Sequence, residues 1–140
     1  MSRFLLDTNI PSELTRPEPE PRVIGWIRSI NEKDLFLSVI TLGEIRKGLA
    51  LLPDGKRRIQ LANWFEEDLR PWFAGRILPV DEQIAEKWGM LDGGRQLSGA
   101  PLNTADGLIA ATAISHGLTL VTRNGRDFSG LGVPVFDPWS

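Results

Sequence analysis

At 140 residues the chain is long enough for one domain with its own core, and with no cysteine it forms neither disulfides nor thiolate metal sites. Apolar residues at 41% and charged residues at 24% are an ordinary globular balance, and a net charge of −2 argues against a chain that binds nucleic acid through bulk positive charge. The first seven residues reach Asp7 after only three apolar side chains, too few for a signal-peptide core, and no run approaches the roughly 18 apolar residues of a membrane span, so a cytoplasmic protein with no membrane partner is expected.

Arg3–Leu6 is a short apolar run that stops at Asp7-Thr8-Asn9, the pattern of a buried strand entering a polar turn. Ile10–Leu14 continues as a short helix. Alternating proline and acid over residues 17–21 dictates a stiff, extended, exposed loop. From Arg22 onward, Val23, Ile24, Ile27 and Ile30 recur at helical spacing. Leu35–Ser38 reads as a second strand and Val39–Leu52 as the helix after it, closed by Pro53-Asp54-Gly55. Lys56–Phe73 is predicted as one long amphipathic helix, Arg76–Val80 as a third strand, and Asp81 as the cap of a helix reaching Gly93 or Leu97. After the turn Ser98–Pro101, the stretch Asn103–His116 is apolar almost all round and belongs inside a domain, against a sheet. Asn103 or Thr104 serves as its N-cap, which places Asp106 in the first turn. Leu118–Thr122 is the fourth strand, and Gly132–Phe136 a fifth at the edge.

Strands alternating with helices imply a three-layer α/β/α sandwich around a parallel sheet of four to five strands, and no linker divides residues 1–140. In such sheets ligands bind beyond the carboxyl ends of the strands. Asp7 stands at the end of the first strand, Ser38 at the end of the second, Glu44 within the helix that follows, Asp106 at a helix start, and Asn124 and Asp127 after the fourth strand. Clustered carboxylates repel, which raises the pKa of each, and they stay ionised if a divalent cation sits among them. Magnesium prefers such oxygen ligands, and the matching chemistry is hydrolysis of a phosphodiester. Each acid also has a plainer reading. Asp7 shapes an Asx turn with Thr8 and Asn9, Glu44 pairs along its helix with Lys47, Asp106 complements the helix dipole, and Asp127 shapes a loop. Their shared placement at one rim separates the two views.

Other chemistries fall away. His116, the single histidine, lies at the far end of its helix from Asp106 and reads as a C-terminal cap; no serine elbow and no P-loop spacing is present. A phospho-acceptor domain would need a lysine after the last strand, where Arg123 stands.

The segments Leu5–Asn9, Ser38–Ile45 and Ala105–Ala113, followed by Thr122-Arg-Asn, resemble the PIN-domain ribonucleases, and among them the VapC toxins of bacterial toxin–antitoxin pairs, especially the FitB-like branch. Phe73–Pro79 and the Phe136–Trp139 tail are similar to that branch as well. The resemblance implies a metal-dependent endoribonuclease toxin that uses Mg²⁺ or Mn²⁺. Asp7, Glu44 and Asp106 match the family's acidic metal site, Asn9 a residue that orients the acids, and Thr8, Ser38 and Thr104 polar supports. The family's fourth acid falls at Asn124, an amide here, with Asp127 close enough to replace it. Arg46, Lys47, Arg123 and Arg126 are candidates to touch RNA phosphates. The resemblance further implies a homodimer and a VapB-like antitoxin whose tail lies in the toxin's groove, with DNA bound only through that antitoxin. The alternative is an antitoxin-binding module whose nuclease activity is weak or lost, a reading that Asn124 motivates.

Overall fold

The apolar run before Asp7 forms the middle strand of a parallel sheet, β1 (Phe4–Leu6), in a computed structural model that describes residues 2–140; Met1 lies outside the described residues. The other strands are β2 (Leu35–Ser38), β3 (Ile77–Leu78), β4 (Thr119–Val121) and β5 (Val135–Phe136), in the spatial order β3-β2-β1-β4-β5 and all parallel. The chain builds outward from β1 through β2 to β3, then crosses back to lay β4 and β5 on the other side. In open α/β sheets such a reversal marks the edge at which ligands bind, here the carboxyl ends of β1 and β4, which Asp7 and Thr122 directly follow.

Alternation along the strands divides the core in two, because successive side chains of a strand face opposite sides. Leu6, Leu35, Leu37 and Val121 join one cluster with Ile10, Val23, Leu49, Phe65, Leu69 and Phe73. These come from α1 (Asn9–Leu14), α2 (Pro21–Ser29), α3 (Val39–Leu51) and the helical stretch running from α4 (Lys56–Trp64) to α5 (Arg70–Trp72), and from the residue after it. Leu5 and Leu120 face the other way, against Ile109, Ala110 and Ala113 of α7 (Thr104–His116), with Leu91 of α6 (Glu82–Leu97) packed beside them. The expected three-layer sandwich is present, with five strands.

The long helix expected over residues 56–73 is interrupted by a π-helical turn, Phe65–Leu69, between α4 and α5. Pro71 explains it: proline has no N–H for the ladder, and its ring clashes with the carbonyl four residues back. The wider turn resolves that conflict, with the amide of Arg70 donating to Phe65 O, and still buries both Phe65 and Leu69. Other boundaries also differ from expectation. β3 and β5 are each two residues rather than five, and α2 begins at Pro21 itself, whose fixed φ suits the first helical position.

Helix α7 ends at Gly117, whose φ of 65° is left-handed and lets its amide close on Ala113 O and Ile114 O. Its outer neighbour α6 crosses it closely at Gly107. A β-carbon there would come within 2.7 Å of Trp88 Cδ1 and 3.1 Å of Leu102 Cδ2, so glycine sets the distance between the two helices.

Candidate active site

Asp7 is buried, and its carboxylate is fixed at both oxygens: Oδ1 accepts from the amide of Thr8 at 2.8 Å, and Oδ2 from Thr122 Oγ1 at 2.8 Å. The Asx turn expected with Asn9 is not what holds Asp7: its local bond is to the amide of the next residue, Thr8, and a long-range bond to Thr122 fixes the other oxygen. Thr122, fully buried at the end of β4, is the hub. Having donated its one proton to Asp7, its oxygen accepts from Asn9 Nδ2 at 3.2 Å and from the Asn124 amide at 3.1 Å. Asn9 thus reaches Asp7 through one hydroxyl, and its Oδ1 is buried without a partner among the described residues.

Glu44 projects from the second turn of α3 and does not pair with Lys47. It accepts a 2.5 Å hydrogen bond from Thr8 Oγ1, and Thr8 in turn lies 3.2 Å from the buried Thr41 hydroxyl. Thr8 therefore touches Asp7 with its backbone and Glu44 with its side chain. Asp106 sits half-buried in the first turn of α7, which Asn103 caps by accepting from the amides of Ala105 and Asp106. Asn103, not Thr104, is the cap, and Thr104 is exposed at the helix start. Ser38 is fully buried and caps α3 by accepting from the Ile40 amide at 3.0 Å; its role is in the helix start.

The electrostatics show that these acids share one rim. Burial pushes the Asp7 carboxyl above the ordinary range, its hydrogen bonds from Thr122 and Thr8 pull it down, and the charges of Glu44 and Asp127 push it up again. Asp106 is raised to about 6, first by burial and then by the charges of Asp7, Glu44 and Asp127. Asp127 is exposed on the short 3₁₀ turn Gly125–Phe128 and faces the same field, while Asn124 is exposed and enters the network through its backbone amide. Among the described residues, no three Asp, Glu or His side chains stand as a ready-made ligand set for a metal ion. Asp7, Glu44 and Asp127 all bear on the Asp106 carboxyl through their charge, although the four acids do not form a closed set.

The donor set nevertheless suits a hard divalent cation. Every candidate ligand is an oxygen, magnesium is usually held by one or two carboxylates with water filling the rest, and the orphaned Asn9 Oδ1 is an acceptor left for such water.

Of the cations foreseen at the site, Arg46 forms an ion pair with Glu66 and covers the Phe65 ring, and Arg123 lies 5.2 Å over the Trp139 ring. Lys47 is exposed. Sequence reasoning took Thr122 only as part of the Thr122-Arg-Asn motif and gave it no role, because its partners Asp7 and Asn9 lie far away along the chain. It also missed Arg95 of α6, whose guanidinium ties Ala100 O, Asp127 O and Ser129 O together. Beside Glu44 runs an apolar groove of about 270 Å³, lined by Ile45, Leu49, Leu52, Leu61 and Trp64.

A parallel sheet of this order with acids gathered at its carboxyl edge defines a class, and the PIN domain family model matches residues 4–133: the chain belongs to that family. Within it, the chain is 44% identical to toxin FitB of Neisseria gonorrhoeae, over 97% of this chain and 98% of that one. It is 41% identical to VapC ribonuclease Y4jK of Sinorhizobium fredii over 97% of each. Its fold is similar to that in the structure of FitAB bound to a DNA fragment, with a TM-score of 0.91 and 43% identity over 98% of this chain and 96% of that one.

Proposed function

We propose that this chain is a metal-dependent endoribonuclease, the toxin of a toxin–antitoxin pair, and that Asp7, Asp106 and Glu44 hold the ion, Mg²⁺ or Mn²⁺, directly or through water. One observation carries the reading: a buried aspartate at the end of the central strand, fixed at both oxygens, shares its field with three other acids from separate segments. Such an arrangement costs stability in the free chain and serves no packing purpose, so its use is in binding positive charge.

When bound, a hard divalent ion lowers the pKa of water and offsets charge on a phosphodiester. The chain's own residues prepare the place. Thr122 and the Thr8 amide oppose the effect of burial and favour the ionised form of Asp7; Thr8 Oγ1 orients Glu44; Asn9 braces Thr122 and presents Oδ1. Asp127 adds a fourth negative charge where Asn124 adds none.

The apolar groove beside Glu44 supports the partner reading. A segment laying aliphatic side chains on Leu49, Leu52 and Trp64 would end at the acids, where a cation on that segment would be neutralised. The partner is an antitoxin, the toxin acts as a homodimer, and any DNA contact runs through the antitoxin. Asn124 favours the second reading, a partner-binding module with weak catalysis, and the same experiment separates the two. Purified free of any partner, the protein is expected to cleave RNA in magnesium, to stop on addition of EDTA, and to lose cleavage with Asp7→Asn. Cleavage that survives Asp7→Asn refutes the assignment of the site, and absence of cleavage at any magnesium concentration favours the binding module.

A further inference from the structure

The cations on the segments around the acids differ in what they already hold. Arg46 is paired with Glu66, Arg123 covers an aromatic ring, and Arg95 is committed to three backbone carbonyls. Lys47 lines neither the acid-bearing cleft nor the apolar groove. Arg126 is exposed and makes no ion pair or side-chain hydrogen bond among the described residues, although Asp106 and Asp127 line the same cleft of about 320 Å³. A second hollow of about 650 Å³ beside α6 is lined by Arg95 and Arg126 as well, so Arg126 stands where the two meet.

The geometry points to Arg126 as the residue that grips a phosphate of the RNA strand next to the one hydrolysed, the strand running from the acids past Arg126 into the hollow beside α6. This rests on the nuclease reading above. A guanidinium near two carboxylates that pairs with neither remains available to a ligand, and its planar fork matches a phosphate. Its backbone is set in advance. Arg95 donates to Asp127 O at 3.0 Å and to Ser129 O at 2.9 Å, pinning the turn that carries Arg126 to α6, which lowers the ordering cost of capture. The apolar groove lies on the Glu44 side of the acids and shares no residue with either of these cavities, so RNA and a protein partner approach the acids from different sides.

The test is binding of fluorescein-labelled single-stranded RNA to the Asp7→Asn protein in magnesium across a salt series, alone and with Arg126→Ala or Arg126→Lys added. Arg126→Ala is expected to weaken binding about tenfold and to reduce the log–log salt slope by about 0.7, the share of one contact to a single strand, whereas Arg126→Lys keeps most of the slope. Unchanged affinity and slope in Arg126→Ala, with wild-type protein still cleaving RNA, overturns the assignment of Arg126 alone. Absence of both RNA binding and RNA cleavage in the wild-type protein overturns it together with the nuclease reading.

Discussion

Replacing Thr122 with valine keeps the shape of the side chain and removes only the hydroxyl at the centre of the site. That hydroxyl is fully buried, donates to Asp7 Oδ2 at 2.8 Å, and accepts from Asn9 Nδ2 at 3.2 Å and the Asn124 amide at 3.1 Å. A hydrogen bond to an ionised group is worth about 1.5–3 kcal/mol, and a half-buried amide left without its acceptor adds about 1. Asn124 is exposed and regains water at little cost. The expected loss is therefore about 2–4 kcal/mol while Asp7 is ionised. The pH dependence is the sharper test. Asp7 is raised by burial, and the Thr122 bond lowers it; deleting that bond raises it further. A carboxyl with a raised native pKa makes the folded state bind more protons than the unfolded chain, so stability falls as pH rises from the ordinary value of 3.8 through the native one. In Thr122→Val the fall is steeper and the variant's deficit grows with pH. Urea unfolding in EDTA between about pH 4.5 and about pH 8 measures it. A deficit that is the same at both ends, or below about 0.5 kcal/mol, refutes the assignment of Thr122 as the group that keeps Asp7 charged.

Two further changes probe the neighbours. Asp106→Asn removes a half-buried carboxyl raised to about 6; solvent screening reduces its full linkage value to about 1 kcal/mol. Without divalent ions the variant is expected to be more stable than wild type above about pH 6, with the gain vanishing toward the ordinary carboxylate range; the thermal midpoint measures this, and no gain near neutrality would contradict it. Gly107→Ala drives a β-carbon to 2.7 Å from Trp88 Cδ1 and is expected to cost about 1–3 kcal/mol, with a change in near-ultraviolet circular dichroism as the indole shifts. A variant with unaltered stability and spectrum would mean that α6 yields freely.

The order of strands and helices was legible because each apolar run has the length and period of its element. Leu5 and Leu6, or Leu120 and Val121, alternate across the sheet as adjacent strand residues must. The placement of Asp7 and Asp106 was legible because one directly follows a strand and the other opens a helix, whereas Glu44, in the second turn of α3, could be placed only through the period of its helix. The π turn at Phe65–Leu69 was not legible: it is a compromise between Pro71 and the burial of two side chains, and neither alone demands it. The length of β3 also depended on its partner, since only Leu37 and Ser38 of β2 offer it pairing.

Local sequence, then, determined which residues form strands, which helices bury all round, and which side chains carry negative charge. Tertiary structure decided the relations among them: that Thr122, far along the chain, holds the carboxylate of Asp7, that Thr8 holds Glu44, and that Arg95 is committed to backbone carbonyls while Arg126 pairs with no side chain among the described residues. The physical reason is range. Periodicity and capping act within a turn or two of the chain, whereas a buried hydrogen bond or a shared electric field depends on distance in space, which the sequence encodes only through the completed fold.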